Sequence, residues 1–268
     1  MMDQFRQKVL NLALGDGSAR DVEVANEILN DQPLVDSGEH GELQTTVADE
    51  DPSVADRHIE VSLKLLAASS GLLRDGLIDV DLHASIEKRS ISAIKRRITT
   101  VGGRDGAGSN HPPRIEFKEV NFADPLVFSS LSFEKLKFTD CTFDSAVHFS
   151  AIESSSCIEF SRCTFATGHE LLLRFLNFPK PEDASEWRPS FFFKDCLIKN
   201  MWVFKSQVFL FFVDSVIESS TLELNSGSVT QYVNCQLIDA IIHDTANEAD
   251  RNPLVPRGWF RNVGWMVN

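Results

Sequence analysis

Five cysteines and seven histidines are the residues of this 268-residue chain best suited to metal, redox or acid–base chemistry. A metal or redox centre needs two to four such groups converging, with spacing such as Cys-x-x-Cys, and no such motif occurs. Cys141, Cys163, Cys196 and Cys235 lie far apart in sequence. An isolated thiol in an apolar stretch packs as a small hydrophobe. The histidines (His40, His58, His83, His111, His148, His169 and His243) form neither His-x-His nor His-Glu-x-x-His. His169 beside Glu170 is too little for acid–base work. Serine is plentiful, yet no Gly-x-Ser-x-Gly elbow is present. The expectation is a non-enzymatic protein with no catalytic residue, no metal ligand and no cofactor.

Charge narrows the partner classes. The net charge of -13 argues against direct nucleic-acid binding through phosphate neutralisation. The acidity is concentrated at the front: residues 1–60 hold 14 acidic and 4 basic groups, residues 61–114 hold 5 and 9, and the remainder 20 and 13. The best apolar run, Met201 to Val213, is 13 residues long and interrupted by Lys205, too short for a membrane span. Asp3 and the lack of an apolar stretch behind it do not read as a signal peptide. So few cysteines make no disulfide scaffold, and a reducing cytoplasm is the expected setting.

Residues 1–101 read as a helical domain. Phe5, Val9 and Leu12 share one helical face that ends at Gly15 and Gly17. Ser18 caps a second helix with the face Val22, Ala25, Ile28 and Leu29. Residues 35–52 read as a solvated connector. Ser53 and Asp56 resemble a capping box opening a third helix with Ile59, Leu63 and Leu66. Ile78, Val80 and Leu82 alternate as in a short strand, with a helix as the other reading. Ile91, Ile94 and Ile98 line a last helix, whose Lys88, Arg89, Lys95, Arg96 and Arg97 read as a solvated face paired with the acidic front. The Gly-rich stretch 102–113 reads as a flexible linker; its glycines fit neither a phosphate loop nor a dinucleotide fingerprint.

Beyond the linker, 43% hydrophobic content is enough for a substantial core. The chain holds 20 Phe but one Tyr, Tyr232, and 18 of the Phe fall between Phe117 and Phe212. Phe lacks the polar handle that suits Tyr and Trp to binding surfaces, so this segment reads as interior filling. Doublets of the form apolar-x-Phe recur at steps of five or six: Ile115/Phe117, Val120/Phe122, Leu126/Phe128, Leu131/Phe133, Leu136/Phe138, Cys141/Phe143 and Val147/Phe149. Ile152/Ser154 has lost its aromatic, and Ile158/Phe160 and Cys163/Phe165 resume the pattern. Residues i and i+2 share one face of a strand. A turn after each doublet that always points the next one inward makes a solenoid. The recurrence of the six-residue step implies about four sides per coil, with Phe117, Phe138 and Phe160 in one column and Phe122, Phe143 and Phe165 in the next.

Residues 167–190 interrupt the pattern, and Leu171 to Leu173 with Phe175 and Phe178 suggest a helical insertion at a corner. The pattern resumes with Phe191/Phe193, Cys196/Ile198, Met201/Val203, Ser206/Val208 and Phe211/Val213. The echoes Asp195-Cys-Leu-Ile, Asp214-Ser-Val-Ile and Cys235-Gln-Leu-Ile mark later coils, about five in all.

Residues 115–165, and more loosely 191–242, resemble the pentapeptide repeat family. The resemblance implies a right-handed four-sided β-helix with a large apolar residue at the centre of each repeat and a small one two positions before it. Phe122, Phe138, Phe143 and Phe165 match the centre, Cys141 and Cys163 the small position, and Asn121 alone supplies the family's polar residue before the centre. The fold class is therefore α+β in two domains: helices over 1–101, linker over 102–113, β-helix over 114–245, and a C-terminal cap or interaction tail over 246–268. The alternative for the second half is an all-β sandwich. Trp259, Phe260 and Trp265 in the tail either cover the last coil or contact a partner, including a second copy.

The leading functional expectation is an adaptor that docks a protein partner on a rigid β-helix. The family resemblance implies a second: imitation of DNA to bind a type II topoisomerase. A carbohydrate-active β-helix enzyme is third, and the single Tyr counts against it.

Overall fold

The computed structural model describes residues 2–15, 17–30, 52–102, 114–129, 131, 134–152, 157–166, 168–176, 178, 189–224, 228–244, 258–261 and 263–266. It separates into two compact units, Met1–Asp105 and Gly106–Asn268. The first consists of four helices, α1 (Met2–Leu14), α2 (Ala19–Asn30), α3 (Pro52–Arg74) and α4 (Val80–Gly102). Val9 and Leu10 of α1, Val24, Ala25 and Ile28 of α2, Val61, Leu65 and Leu72 of α3, and Ile86 of α4 bury one shared core.

Local chemistry fixes the helix ends. Ser18 accepts from the Asp21 amide at 3.2 Å, and its own hydroxyl donates to the Asp21 carboxylate at 2.8 Å. That bond holds Asp21 below the usual carboxylate range. Gly15 adopts φ 52° where α1 stops. The third helix starts at Pro52, so Ser53 lies inside its first turn instead of capping it. The alternation at Ile78, Val80 and Leu82 is not a strand: Asp79 accepts from the Leu82 amide at 2.7 Å and starts α4 there. Arg89 of the basic cluster donates to the Leu29 carbonyl, covering the end of α2.

The second unit is a parallel β-solenoid. Its first sheet stacks β1 (Arg114–Lys118), β4 (Lys135–Thr139), β7 (Ile158–Ser161), β10 (Phe191–Lys194), β13 (Phe209–Val213), β16 (Val229–Val233) and β19 (Gly258–Arg261). The second stacks β2 (Asn121–Phe122), β5 (Thr142–Phe143), β8 (Thr164–Phe165), β11 (Leu197–Lys199), β14 (Val216–Glu218), β17 (Gln236–Ile238) and β20 (Gly264–Met266). The third stacks β3 (Leu126–Ser129), β6 (Val147–Ser150), β9 (Leu171–Arg174), β12 (Met201–Ser206), β15 (Thr221–Leu224) and β18 (Ile241–Asp244). Every neighbouring pair is parallel, which excludes the sandwich. The fourth side buries Leu131, Ile152, Leu176, Ser206 and Val208 without a sheet of its own among the described residues.

The doublets point inward as alternation requires: β1 runs exposed–buried–exposed–buried–exposed. Phe117 stacks on Phe138 at 5.0 Å between ring centroids, Phe138 on Phe160 at 4.8 Å, Phe160 on Phe193 at 5.0 Å, Phe193 on Phe212 at 4.9 Å, and Phe212 on Tyr232 at 5.1 Å. A second column runs Phe122, Phe143, Phe165 at 5.0 and 4.6 Å, and a third joins Phe128 to Phe149 at 5.2 Å. Between columns the rings meet edge to face, as Phe138 meets Phe143 at 5.5 Å. Phe133 lies outside the described residues.

One expectation needs correction. Leu171–Arg174 is a strand, not a helical insertion: Leu171 and Leu173 point inward, and β6 and β12 offer parallel partners on either side. The tail reads in the sequence as a cap or interaction segment. Its residues 258–261 and 264–266 add one more rung to the first and second sheets, against β16 and β17.

The corner between the first and second sheets carries a residue in the left-handed region in each coil: Glu119, Asp140, Arg162, Asp195, Asp214 and Asn234, with φ from 50° to 56°. Asp and Asn tolerate this region better than other side chains. Truncating Phe138 to Ala should cost about 3–5 kcal/mol in denaturant unfolding, whereas Lys137→Ala should cost under about 0.5 kcal/mol. Asp195→Val should lose about 1–2 kcal/mol and Asp195→Gly almost nothing; equal losses would show that the corner does not depend on φ.

Candidate functional site

Cys141, Cys163, Cys196 and Cys235 occupy the small inward slot at the turn into the second sheet. Cys141 Sγ donates to the Phe117 carbonyl of the coil before it at 3.5 Å, Cys163 Sγ to Phe138 at 3.5 Å, and Cys196 Sγ to Phe160 at 3.5 Å. Ser215 takes the same slot in the next coil: its hydroxyl donates to Val213 at 2.8 Å and accepts from the Cys196 amide at 3.1 Å. Small polar side chains thus tie coil to coil.

A hydrogen bond with Cys163 and burial both push the Cys141 thiol far up. Cys163 is lowered by its bond with Cys141 but raised by Cys196 and by burial, and ends at about 12. The bond from Cys163 holds Cys196 down, but at 3% exposure no reagent reaches it. Cys157 lies outside this column, and burial pushes it up to about 12. All five thiols are free, and among the described residues no three His, Cys, Asp or Glu side chains converge as a metal site.

The helical unit contains an arrangement that sequence motifs do not reveal. His83 Nδ1 of α4 lies 3.1 Å from Ser69 Oγ of α3, and His83 Nε2 lies 3.8 Å from Glu87. The order resembles a nucleophile–base–acid relay. Ser69, however, donates its proton to the Leu66 carbonyl at 3.0 Å, so it accepts from His83 instead of being activated by it. All three residues are buried, Ser69 and His83 completely, which leaves a substrate no access. This is a polar strut between α3 and α4. Only spacing across two helices could have indicated it.

The outward face of the first sheet is the better candidate. Its central row, in register from coil to coil, is Glu116, Lys137, Glu159, Phe192, Phe211 and Gln231. Lys137 pairs with Glu116 at 3.3 Å, and Lys135 with Glu159 at 3.1 Å. Arg114 pairs with Glu134, whose carboxylate raises the guanidinium further above its ordinary value. Phe192 and Phe211 then lie 5.5 Å apart, half-buried, on the same face. Arg114, Glu134, Lys135, Glu159, Phe192 and Phe211, together with Cys157 and Pro189, line an open groove of about 530 Å³.

The Phe-rich segment is therefore not interior filling throughout: Phe175 is exposed, and Phe192, Phe204 and Phe211 are half-buried on outward positions. Conversely Tyr232, the one Tyr, is buried at the end of the longest ladder, and burial raises its phenol. The backbones of Trp259 and Phe260 lie in β19 and that of Trp265 in β20. Their side chains are outside the described residues.

Iodoacetamide at pH 8 should leave the folded protein's thiols unmodified, because the raised groups are neutral there and the remaining one is covered. Mass spectrometry should show all five modified after unfolding; rapid native labelling of Cys141 or Cys163 would show that the slot faces outward. Compared with protein-family models, with curated proteins and with solved structures, the chain matches none of them.

Proposed function

We propose that this protein is a non-enzymatic docking scaffold whose solenoid, wound in the manner of pentapeptide repeats, presents one face to a protein partner. The observation that carries this reading is the groove on the first sheet. Phe192 and Phe211 stand side by side at its centre, and the ion pairs Arg114–Glu134 and Lys135–Glu159 form its rim. An aromatic centre ringed by charges is the anatomy of a protein–protein interface. The stacked interior holds such a face rigid, so docking costs little ordering of the scaffold. The chemistry-bearing side chains described above point elsewhere: the thiols bond to backbone carbonyls, and His83 and Ser69 are enclosed.

Affinity capture from native extract with the immobilised full-length chain tests the reading. Phe211→Glu should abolish retention of the specific partner while leaving the unfolding midpoint unchanged within about 0.5 kcal/mol. Lys8→Glu, in the helical unit, should retain it. Identical capture by Phe211→Glu and the unmodified chain would overturn the assignment to this groove.

A further inference from the structure

The third sheet carries a separate outward face. Its first row is Val127, His148, Leu172, Trp202, Thr221 and Ile241, in register. The exposed large apolar side chains described in the solenoid are Val127 (39%), Trp202 (44%) and Ile241 (52%) in this row and Phe175 (55%) at the corner just after β9. Single exposed hydrophobes such as Val127 and Ile241 are ordinary, but Leu172 and Trp202 are register neighbours and Phe175 meets Phe204, and adjoining apolar side chains of this kind mark an interaction surface.

The second feature is charge. Arg174 and Phe204 are register partners in the neighbouring strands β9 and β12, followed by Phe175 and Lys205 at the corner. Phe175 and Phe204 meet edge to face at 6.2 Å. The Arg174 guanidinium lies 5.9 Å from the Phe175 ring, and Lys205 Nζ lies 5.1 Å from the Phe204 ring. Among the described residues neither cation is paired with a carboxylate, in a chain of net charge -13. The nearby Glu170 is held by His148 at 3.0 Å, and Glu223 lies in the next strand beyond Phe204, on β15. Two like charges side by side on one corner repel each other until an anion joins them.

The third feature is strain. Phe175 and Lys205 stand in the left-handed region, at φ 52° and 46°, where the preceding coil places the small Ala151 at φ 50°. An aromatic side chain there incurs a backbone cost, and this one is also left exposed to water.

We infer that the third-sheet face, from Leu172 and Trp202 to the Phe175–Lys205 corner, binds an acidic peptide segment with its carboxylates beside large apolar side chains. The carboxylates sit between Arg174 and Lys205, and the apolar residues lie on Trp202, Leu172 and the Phe175–Phe204 pair. Glu223 keeps acidic groups away from the far side, so the segment runs towards Val127. This face is distinct from the Phe192–Phe211 groove, so either assignment stands if the other fails.

Fluorescence anisotropy with the full-length chain tests it. The probe is a fluorescein-labelled octapeptide alternating glutamate with leucine and phenylalanine. One comparison peptide carries lysine for glutamate, and another carries serine for the apolar residues. The glutamate probe should bind with a Kd of about 10–100 µM at low salt and weaken as salt is raised. Both comparison peptides should bind at least about tenfold more weakly. Arg174→Glu with Lys205→Glu should lose at least about tenfold, and Phe175→Asn, a residue that the left-handed corner tolerates, should lose binding without losing stability. Lys118→Glu on the first sheet should change nothing. Equal binding of the lysine peptide, no saturation of the glutamate probe at about 1 mM, or undiminished binding by the double charge reversal would each overturn the inference.

Discussion

Parallel strands in register lie about 4.8 Å apart, and whatever side chain occupies an inward column must repeat at that interval. A flat ring can do so: the centroids in the longest column are 4.8 to 5.1 Å apart, with planes within about ten degrees of parallel. The fold depends on this match between backbone spacing and ring contact. The first-sheet column stays aromatic through six coils, from Phe117 to Tyr232. The second changes from Phe165 to Ile198, Ile217 and Leu237, and the third from Phe149 to Leu173, Val203 and Leu222. Around that change Phe191 takes the slot that Ile115, Leu136 and Ile158 hold earlier, touching Phe149 at 5.5 Å and Phe178 at 5.8 Å. Interior volume is thus conserved when two columns lose their rings.

The corners obey a second constraint. At the corner after each of these first-sheet strands the chain bends at one residue with positive φ. The small slot that follows leaves a backbone amide and a carbonyl in need of partners. Cys141, Cys163, Cys196, Ser215 and Cys235 fill it with a side chain short enough to fit and polar enough to bond. Ser220 does the same at the next corner, donating to Glu218 at 2.8 Å and accepting from the Met201 amide at 2.9 Å. Cysteine and serine are interchangeable here because the slot selects on size and hydrogen bonding rather than on reactivity.

Period and direction were legible in the sequence because both follow from the alternation of side chains along a strand. The columns of Phe117 and Phe122 could be assigned from spacing alone. The echoes at Asp195 and Asp214 were visible too, but their cause was not: Asp stands there for its φ, which no hydropathy pattern records. Leu171 to Leu173 read as a helix because a run of leucines has no period of its own, and only its parallel neighbours make it a strand. Phe192, Phe204 and Phe211 were misjudged since a run such as Phe191-Phe192-Phe193 places successive rings on opposite faces. The Ser69–His83 contact joins positions on two helices, and sequence spacing says nothing about which turns of α3 and α4 meet.

The outward faces follow the same stacking rule with a different consequence. A column at 4.8 Å spacing cannot hold like charges without cost. Across the first sheet the row Glu116, Lys137, Glu159 alternates in sign and then passes to rings at Phe192 and Phe211, which removes the conflict. At the first corner Arg162 binds Asp140 through two contacts of 2.6 and 2.7 Å, and Asn234 donates to Asp214 at 3.0 Å. Asp195 and Asp214 are like neighbours there, but the left-handed backbone selects that residue type at both. No such reason applies to Arg174, in an ordinary strand position, or to Lys205 instead of Asn or Gly. Arg174 stacks between Ser150 and Phe204 in register, so the two cations adjoin diagonally rather than along a column.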